Sequence, residues 1–474
     1  MSLKVYNVLT RKKEEFIPQD EKQVKMYACG ITVSDNAHVG HAYQAIVFDV
    51  IRKYLRYKGY DVIYVRNYTD VDDKIIINAR KVGIHPIAYA EKFIEKTDRE
   101  LELLNIEKPT IQARATENIQ DMIFFIQELI DASFAYIAFD GSVYFRVSKF
   151  KDYGKFSNRL IDESLIGVRK EIEPGKEDEH DFALWKAAGT DEIFWETSWG
   201  RGRPGWHIEC SSMSRKFLGD TLDIHGGGRD LIFPHHENEI AQSEALTGKQ
   251  FSKYWIHNGL VKVNGQKMSK SLGNGILIED LLKKYNSDTI KITLLQNHYR
   301  SDINIIDGIF EQHESKVYNL YKLFKQVKEF ANYNVNKESK EYKNIQEEFE
   351  TTMDNDFNTS LAISNLFNYI TDINKAIQRK ENEKVVNIIG AIKDMYNVLG
   401  LFQENPDDVI KSIKNKYLKL NSVNEEYINK LIEKRLEHKK NKEYELADKI
   451  RDNLLKRGII IKDNTDNSKW DINI

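Results

Sequence analysis

Hydrophobic residues in the N-terminal part of the chain change their spacing from segment to segment. Residues 24–33 form a short apolar run typical of a buried strand, and a polar loop at 34–40 follows it. The next segment has apolar residues at helical spacing, namely Ala45, Phe48, Ile51 and Leu55. Gly59 is placed to end that helix, and a second strand follows at 61–67. This order predicts a parallel α/β sheet, which binds ligands at the carboxyl ends of its strands, so the loop at 34–40 is expected at a binding edge.

The same strand pattern returns later in the chain. Residues 220–228 and 253–263 each form a strand-like apolar run, and a helical segment at 233–248 lies between them. Between about 110 and 200 the pattern changes to a helix and short strands such as 141–147, which indicates an insertion. We therefore expect one sheet domain that is interrupted by a second unit.

From about residue 308 helical periodicity dominates. Only seven prolines occur in 474 residues, which suits a helical second half. After Pro406 a basic segment predicts another pair of helices with charged faces. The pattern predicts an α/β fold in three parts: a Rossmann-like parallel-sheet domain at 1–300 with the insertion at about 110–200, an all-α bundle at 301–402, and a small C-terminal domain at 403–474.

Composition is that of an ordinary globular chain. Hydrophobic residues make up 41%, no uncharged apolar run reaches about 18 residues, and the first residues lack a secretory signal, so a cytoplasmic protein without a membrane span is expected. The net charge of −3 argues against a uniformly basic nucleic-acid binder. Residues 411–462, however, hold fifteen Lys and Arg against eight Asp and Glu. This segment is a candidate for contact with a polyanion, although a solvated helix surface has the same composition.

Cys29 and Cys210 are the only two cysteines of the chain. They could form a disulfide, but in a reducing compartment metal binding or catalysis is the more common reason to keep them. Burial as inert core thiols is the third interpretation. Because Cys29 ends the first strand and Cys210 lies near the start of another helix, the two halves of one domain could bring them together.

The loop after the first strand contains the sequence HVGH, residues 38–41. A turn that opens a helix can present His38, His41 and backbone N–H groups together to a phosphate, while Gly40 permits close approach of a nucleotide. Two surface histidines near a helix cap are the alternative interpretation.

A second loop, GQKMSKSLGN at 265–274, places Lys267 and Lys270 between glycines. Two lysines in such a loop suit the neutralisation of charge on a triphosphate as pyrophosphate leaves, whereas a flexible lysine-rich hairpin is the alternative. HVGH and KMSKS together, each in a strand-to-helix setting, resemble the motif pair of class I aminoacyl-tRNA synthetases.

The helical segment FPHHENEIAQ offers metal ligands on one face. His235 and Glu239 stand at i and i+4, and His236 with Glu239 at i and i+3 is the competing pair. His207 and Cys210 open another helix in WHIEC. Thiolate and imidazole donors select zinc over magnesium, so a zinc site built from these residues and Cys29 is plausible.

Five segments together are similar to those of the cysteinyl-tRNA synthetase family: CGITVSDNAHVGH, RNYTDVDDKII, GRPGWHIECSSMS, DIHGGGRDLIFPHHENEIAQSEA and KMSKSLGN. The resemblance extends to MDNDFNTSLAI and ADKIRD, and so covers nearly the whole chain. It implies one zinc per chain, held by residues matching Cys29, Cys210, His235 and Glu239, with the substrate cysteine bound through its thiolate. The substrate sulfur would then be a fifth ligand or displace Glu239.

The resemblance also assigns roles in the pocket. It implies that Trp206 walls the substrate, that His225 and Thr32 hold its carboxylate or side chain, and that Gly227 and Asp230 receive the ATP ribose. A core aromatic, a sheet-end histidine, a strand threonine and a capped glycine turn are the corresponding structural alternatives. Ser34 departs from the family, in which an aromatic residue is usual.

The implied reaction is ATP-dependent activation of L-cysteine followed by transfer to tRNA(Cys), with magnesium accompanying the ATP. In this scheme His38 and His41 steady the α-phosphate, and Lys267 and Lys270 steady the pyrophosphate. A hydrophobic pocket separates serine from cysteine by only ~1–3 kcal/mol, so zinc–thiolate bonding would supply the selection and no editing unit is expected in the insertion.

The C-terminal domain at 403–474 is the expected reader of the anticodon, and the chain is expected to act as a monomer. Arg435, Arg451 and Trp470 are candidates for stacking on unpaired bases or bonding to them, with hydrophobic anchoring of the tail as the alternative for Trp470. Two rival functions stay open. One is a ligase that joins cysteinyl adenylate to an amino sugar, and the other is an inactive zinc and RNA-binding protein.

Overall fold

A computed structural model describes residues 2–159, 175–189, 192–268, 273–327, 333–463 and 468–474. Within these ranges the strands are β1 Lys4–Asn7, β2 Lys12–Glu15, β3 Gln23–Thr32, β4 Asp61–Thr69, β5 Ile111–Arg114, β6 Ala135–Ile137, β7 Val143–Phe145, β8 Phe182–Ala187, β9 Trp195–Thr197, β10 Gly200–Pro204, β11 Leu222–Gly228, β12 Ser252–Asn258, β13 Val261–Val263, β14 Gln266–Lys267, β15 Ile303–Ile305, β16 Ile459–Asp463 and β17 Ser468–Ile472.

The helices within the same ranges are α1 Val39–Tyr57, α2 Asp73–Val82, α3 Pro86–Leu103, α4 Ile119–Asp131, α5 Trp206–Leu218, α6 Glu237–Thr247, α7 Ile278–Lys284, α8 Ser287–Leu295, α9 Ile309–Val327, α10 Lys340–Met353, α11 Thr359–Gln378, α12 Asn382–Asn397, α13 Pro406–Leu420, α14 Glu425–Lys440 and α15 Tyr444–Lys456. None of them is long and apolar enough to cross a bilayer.

The central sheet is parallel and has the order β12-β11-β3-β4-β5. Its first strand in the chain, β3, lies in the middle, and the later strands add to both sides. This is the doubly wound arrangement, in which ligands bind where the strand order reverses. The reversal falls between β3 and β11, so the loops that leave these two strands share one edge. The predicted parallel α/β fold is confirmed.

Helix α1 starts where the sequence predicts, at the HVGH motif. His38 is its N-cap, and its face toward the sheet buries apolar residues that include Phe48, Ile51 and Leu55. Gly59, with φ +95°, follows the C-cap and donates its N–H to the carbonyl of Arg56. Capping at both ends and one apolar face fix the helix between the site edge and the opposite side of the sheet.

Two boundaries differ from the prediction. The run at 253–263 is two strands in different sheets, because the chain turns at Gly259, where a Cβ atom would lie 2.1 Å from the carbonyl oxygen of Ser301. The helix predicted from residue 233 begins only at Glu237, after a wider turn over Ile232–His236. At Gly259 a close contact to another part of the chain decides the backbone path.

The insertion forms an antiparallel sheet with the order β6-β7-β8-β10-β9. Its apolar face packs with α4 and α5 and with Trp255 of the central sheet into one buried cluster. Asp73, at the start of α2, accepts hydrogen bonds from Lys186 at 2.8 Å and from Arg203 of the insertion. The insertion is thereby fixed against the sheet domain beside the site edge.

The helical half packs on the sheet domain through a continuous apolar core. The basic segment after Pro406, predicted as a helix pair, forms α13, α14 and α15 and then continues into β16. The β-branched run Ile459–Ile461 pairs with β17 in an antiparallel hairpin, because such residues favour an extended backbone. That hairpin packs back onto α9, where Tyr318 donates a hydrogen bond to Asp471.

We expect Gly226→Ala to destabilise the fold. A Cβ atom at this position in β11 would lie 2.1 Å from the carbonyl oxygen of Ile256 and 2.6 Å from the Phe48 ring, so the strand would have to move. Overpacking of this kind costs about 1–3 kcal/mol of unfolding free energy. Urea unfolding followed by circular dichroism measures the loss. Gly275→Ala, where nothing lies within 4 Å, is the control, and an equal loss in both variants would contradict the close packing.

Candidate metal and nucleotide site

Four side chains meet below the carboxyl edge of the central sheet. Cys29 is on β3, Cys210 is in the first turns of α5, His235 is in the turn before α6, and Glu239 is in the first turn of α6. All four are at least 97% buried. The elements that carry them are adjacent because β3 and β11 pair directly and α5 and α6 pack on the same face of the sheet.

The donor atoms of these side chains are close enough to share one ion. Cys29 Sγ lies 3.5 Å from Cys210 Sγ and 3.3 Å from Glu239 Oε1. His235 Nε2 lies 3.0 Å from the same carboxylate oxygen. Each donor atom of the set is within 4.8 Å of the others. Both cysteines are free thiols, and 3.5 Å is far longer than a disulfide bond of about 2.05 Å.

A second set of donors overlaps the first. Cys29, His225, His236 and Glu239 also lie within 4.8 Å of one another. His225 Nε2 is 3.0 Å from Glu239 Oε2, and His236 Nε2 is 3.8 Å from Glu239 Oε1. Geometry therefore identifies a possible metal site around Cys29 and Glu239. The other two ligands could be Cys210 and His235, or His225 and His236.

The charges in this cluster are strongly coupled. Burial opposes the charge on Glu239, yet His225 and His235 hold its pKa well below the usual range. Burial alone would lower the pKa of His235, but Glu239 and Cys210 raise it to about 10. Burial raises the pKa of Cys29, whereas hydrogen bonds from Cys29 and His235 bring the pKa of Cys210 to about 6. One sulfur of the pair is thus far more easily ionised than the other.

Three further side chains border the cluster. His207 Nδ1 is 2.9 Å from His235 Nδ1, and burial lowers its pKa well below the usual value, so it accepts the hydrogen bond as a neutral ring. His257 Nε2 is 2.7 Å from His236 Nδ1. Asn67 accepts the N–H of Gly30 at 2.8 Å, beside Cys29. His207 was visible in WHIEC as a possible ligand, and the structure gives it an orienting contact instead.

Trp206 packs against the cluster and is partly exposed to solvent. This residue is the first of α5, its ring centre is 4.3 Å from that of His235, and 40% of it is exposed. His225 on β11 is fully buried and stacks on Tyr27 with ring centres 5.2 Å apart. Thr32 is the last residue of β3, opposite Thr69. Of the residues expected around an amino-acid substrate, Trp206 and His225 contact members of the Cys29 cluster, and Thr32 lies three residues beyond Cys29 on the same strand.

Ser34 lies between the cluster and the start of α1. It is buried, and its carbonyl oxygen accepts hydrogen bonds from Asn78 Nδ2 at 3.0 Å and from the Tyr89 hydroxyl at 3.1 Å. These contacts use the main chain, which every residue type has. The loop can therefore keep its path with serine in place of the aromatic residue usual in the family.

The HVGH residues form a compact cap. His38 Nδ1 accepts the N–H of Gly40 at 3.1 Å, and His41 Nδ1 accepts the N–H of His38 at 3.3 Å. The two rings stack with centres 3.7 Å apart. The first turn of α1 has no acidic side chain, so no carboxylate on the helix itself opposes the positive end of the helix dipole.

The segment that carries Lys267 and Met268 approaches the cap formed by the HVGH residues. Met268 Cε lies 3.5 Å from the place that a Cβ atom on Gly40 would occupy. Lys267 is exposed at the end of the hairpin formed by β13 and β14, and its carbonyl oxygen accepts a hydrogen bond from Asn274 at 3.3 Å. Lys270 lies outside the described residues.

The glycine run at the end of β11 borders the same edge. Gly227 is buried, and a Cβ atom there would lie 2.8 Å from Leu231 Cδ1. Asp230 is exposed just beyond it, with Oδ1 2.6 Å from the place of a Cβ atom on Gly228. A side chain at either glycine would require Leu231 or Asp230 to move, and the run presents an exposed carboxylate at the sheet edge.

The three C-terminal candidates have different surroundings. Arg435 is 4% exposed and donates to both carboxylate oxygens of Asp463, at 2.6 and 3.0 Å. The charged group of Arg435 is bonded within the fold, and the anticodon contact predicted for it stays a prediction. Arg451 is at the surface, paired with Asp448 at 2.7 Å and with Asp452.

Trp470 is partly buried and packs against the core from β17. Lys414 Nζ lies 4.4 Å from its ring centre. This packing favours the interpretation that the tryptophan anchors the tail, and a contact to RNA from its exposed part stays a prediction.

Comparison with known proteins gives a consistent result. The family described as tRNA synthetases class I (C) catalytic domain matches residues 15–315, and the DALR domain family matches residues 348–403. A protein of Thermodesulfovibrio yellowstonii named cysteine–tRNA ligase is 48% identical over 100% of both chains. One of Bacillus cytotoxicus with the same name is 44% identical over 99% of each.

Among solved structures, the methionyl-tRNA synthetase of Mycobacterium tuberculosis in complex with methionyl-adenylate aligns with a TM-score of 0.62 at 15% identity. The alignment covers 85% of this chain and 95% of that one. At this level of identity the likeness concerns the fold alone.

We expect Arg435→Leu to lower stability. Hydrogen bonds from Arg435, together with Lys439, hold the pKa of Asp463 well below the usual range. The stability that this pair contributes is present above the unfolded pKa of about 3.9 and is lost as pH falls toward the folded value. Thermal unfolding should therefore show that the variant loses about 1–2 kcal/mol of unfolding free energy at pH 7. The difference from the parent protein should become smaller in acid.

Arg451→Leu is the matched control, since its ion pairs are at the surface and such pairs contribute little. Equal melting temperatures for Arg435→Leu and the parent protein would show that the Asp463 pair has no structural role.

Proposed function

This chain belongs to the cysteine–tRNA ligase family of class I aminoacyl-tRNA synthetases, and we propose that zinc bound by Cys29, Cys210, His235 and Glu239 selects its amino acid. The enzyme activates cysteine with ATP and transfers it to transfer RNA. What the proposal adds is the identity of the metal, its ligands and the division of labour among the residues around it.

The observation that carries the zinc proposal is the convergence of four donor atoms in one buried pocket. Two sulfurs, an imidazole and a carboxylate are the donors that zinc accepts, and soft sulfur donors exclude magnesium. The pocket fits such an ion chemically, since Glu239 Oε1 lies within 3.3 Å of Cys29 Sγ and 3.0 Å of His235 Nε2, so that one ion could replace these contacts. A bound zinc supplies a Lewis-acidic position that favours a thiolate.

We favour Cys210 and His235 over His225 and His236 as the other two ligands. The first pair adds a second sulfur whose pKa is already about 6, so it ionises readily. His236 instead bonds His257, and His225 contacts the outer carboxylate oxygen of Glu239, at 3.0 Å. His225 then orients Glu239 and faces the substrate, in agreement with its expected place in the pocket.

Selection between cysteine and serine explains why a metal belongs here. The two amino acids differ by one atom, and a hydrophobic pocket distinguishes such pairs by only ~1–3 kcal/mol. Trp206 and Thr32 shape the pocket and limit its size. Neither makes a contact with cysteine that it could not also make with serine. Metal bonding to sulfur provides the difference, and the insertion then needs no hydrolytic site and serves structure or contact with the acceptor end.

The start of α1 is the proposed site for the ATP phosphates. His38 and His41 stack at a helix N-terminus without acidic side chains, where a phosphate is favoured. Lys267 and Lys270 neutralise the leaving pyrophosphate, and magnesium accompanies the ATP. Adenylation needs no protein nucleophile, because positioning and charge stabilisation lower the barrier.

The ribose and base of ATP lie against the glycine edge of β11 in this proposal. Asp230 accepts the ribose hydroxyls, and Gly227 and Gly40 let the nucleotide approach the backbone closely. The exposed position of Asp230 next to buried glycines supports this role.

The helical half is the proposed platform for tRNA(Cys). A sheet domain at 1–300 performs catalysis, and residues 403–474 contact the anticodon. The bundle at 301–402 connects these two domains. The basic excess of residues 411–462 supports the role of the C-terminal part, and the match of residues 348–403 to a DALR domain supports tRNA binding by the helical half. Arg451 and the exposed part of Trp470 are its candidate contacts. We further propose a cytoplasmic monomer, a location consistent with two free cysteines.

We expect cysteine-dependent ATP–pyrophosphate exchange and charging of tRNA(Cys), with about one zinc per chain by metal analysis. Cys210→Ser should lose the zinc and the preference for cysteine over serine, because a hydroxyl replaces a sulfur ligand. Ser214→Ala, which removes a buried hydroxyl from the same helix, is the control.

Exchange without charging would favour the amino-sugar ligase, and no exchange would favour the inactive RNA-binding protein. Unchanged zinc in Cys210→Ser would remove the metal proposal while leaving the enzyme assignment intact.

We also expect His207→Ala to weaken zinc binding by about 10–100-fold, because His207 fixes the ring of His235 through the 2.9 Å contact. Chelator competition measures the affinity, and the visible spectrum of the cobalt form reports the geometry. His313→Ala removes another buried histidine, one that bonds Thr293 in the helical half, and should leave both readouts unchanged. An unaltered affinity in His207→Ala would exclude an orienting role.

A further inference from the structure

The two nucleotide motifs are joined by main-chain hydrogen bonds. The N–H of Val39 donates to the carbonyl of Ile276 at 2.8 Å, and the N–H of Ile278 donates to the carbonyl of Ala37 at 3.2 Å. His38 and Leu277 thus form an antiparallel bridge. The segment that follows the lysine loop returns along the HVGH turn before it enters α7.

One side chain spans the same junction. Lys96, on α3, donates from Nζ to Asn36 Oδ1 at 2.7 Å and to the carboxylate of Glu279 on α7. Asn36 lies two residues before His38, and Glu279 lies two residues after Leu277. We call Asn36, Lys96 and Glu279 the clasp.

We propose that Lys96 is a positioning residue for adenylate formation, which holds the start of α1 and the segment entering α7 at a fixed separation. The role rests on the proposed function of the HVGH and KMSKS motifs. Lys96 does not touch the reacting atoms in this role. It acts through Asn36 on the turn that carries His38, and through Glu279 on the segment that leaves the lysine loop.

The charges around the clasp keep Lys96 on these two partners. Glu100, one turn further along α3, is 3.9 Å from Lys96 Nζ and is 4% exposed. Among the described residues neither of its oxygens has a hydrogen-bond partner, and burial raises its pKa to about 7. Glu279, by contrast, is ionised, because hydrogen bonds from Lys283 and Lys96 lower its pKa to about 2. The Lys96 ammonium is therefore attracted more strongly to Glu279, across the junction between the two motifs, than to Glu100 on its own helix.

This arrangement predicts a kinetic effect without a large loss of stability. Ion pairs with partly exposed partners contribute little to folding. Misplacement of a phosphate-binding group by a fraction of an ångström, however, lowers the rate steeply. The amino-acid pocket lies on β3, α5 and α6, none of which the clasp contacts, so cysteine binding should not respond.

The test is ATP–pyrophosphate exchange by the full chain carrying Lys96→Met. We expect kcat/KM for ATP to fall at least about tenfold, with the KM for cysteine within about twofold of the parent value and an unchanged melting temperature. Lys92→Met is the control, since Lys92 is exposed one turn earlier on α3 and lies over the Phe93 ring.

A double-mutant cycle with Glu279→Gln separates positioning from general damage. If the clasp acts as a unit, Lys96→Met with Glu279→Gln is no slower than Lys96→Met alone. Additive losses, unchanged ATP kinetics in Lys96→Met, or equal changes in the ATP and cysteine parameters would each overturn the proposal. Exchange by the parent protein is measured in the same series, so failure of the clasp is distinct from failure of the proposed function.

Discussion

The site depends on one carboxylate that water does not reach. Glu239 is fully buried, and its two oxygens face His235 and His225, each at 3.0 Å. Burying such a charge without partners would cost far more than the few kcal/mol that separate folded from unfolded chains. The positions of β11, α6 and the turn between them are therefore linked to the charges around Glu239. The same constraint brings Cys29 and Cys210 to the carboxylate.

This constraint explains why two kinds of chemistry lie so close together. Cys29 and His38 are separated by a few residues at the end of β3, and in the proposed function Cys29 contributes to the amino-acid pocket while His38 caps the helix at the phosphate site. The doubly wound sheet places its reversal of strand order at that point, so β11 can deliver His225 to one pocket and Gly227 to the other. A carboxyl group activated in one pocket is then already adjacent to the nucleotide in the other.

Sequence patterns predicted most of the sheet domain, because β3, α1 and β4 are local structures with clear apolar periodicity and caps. They missed the break at Gly259, since it follows from a close contact with the distant Ser301, and they missed the wider turn that delays the start of α6. The spacing of His235, His236 and Glu239 left two metal-ligand pairs open, and the structure keeps both within reach. Arg435 looked like an RNA contact in a basic segment, but its partner Asp463 lies on a strand that the helical periodicity did not reveal. Lys96 is a solitary lysine on a helix surface, so no pattern marks it.

The loop between Cys29 and His38 constrains how this chain can evolve. Its anchoring at Ser34 uses a carbonyl oxygen held by Asn78 and Tyr89, which makes the side chain at that position replaceable. The length of the loop is constrained, because an inserted or deleted residue would rotate the start of α1 away from the proposed metal ligands. Substitutions can therefore accumulate at position 34 over long lineages, whereas Gly30 is fixed, because a Cβ atom there would lie 1.6 Å from the carbonyl oxygen of Asn67. Insertions and deletions should be purged from the whole stretch, so inheritance must preserve the number of residues in it.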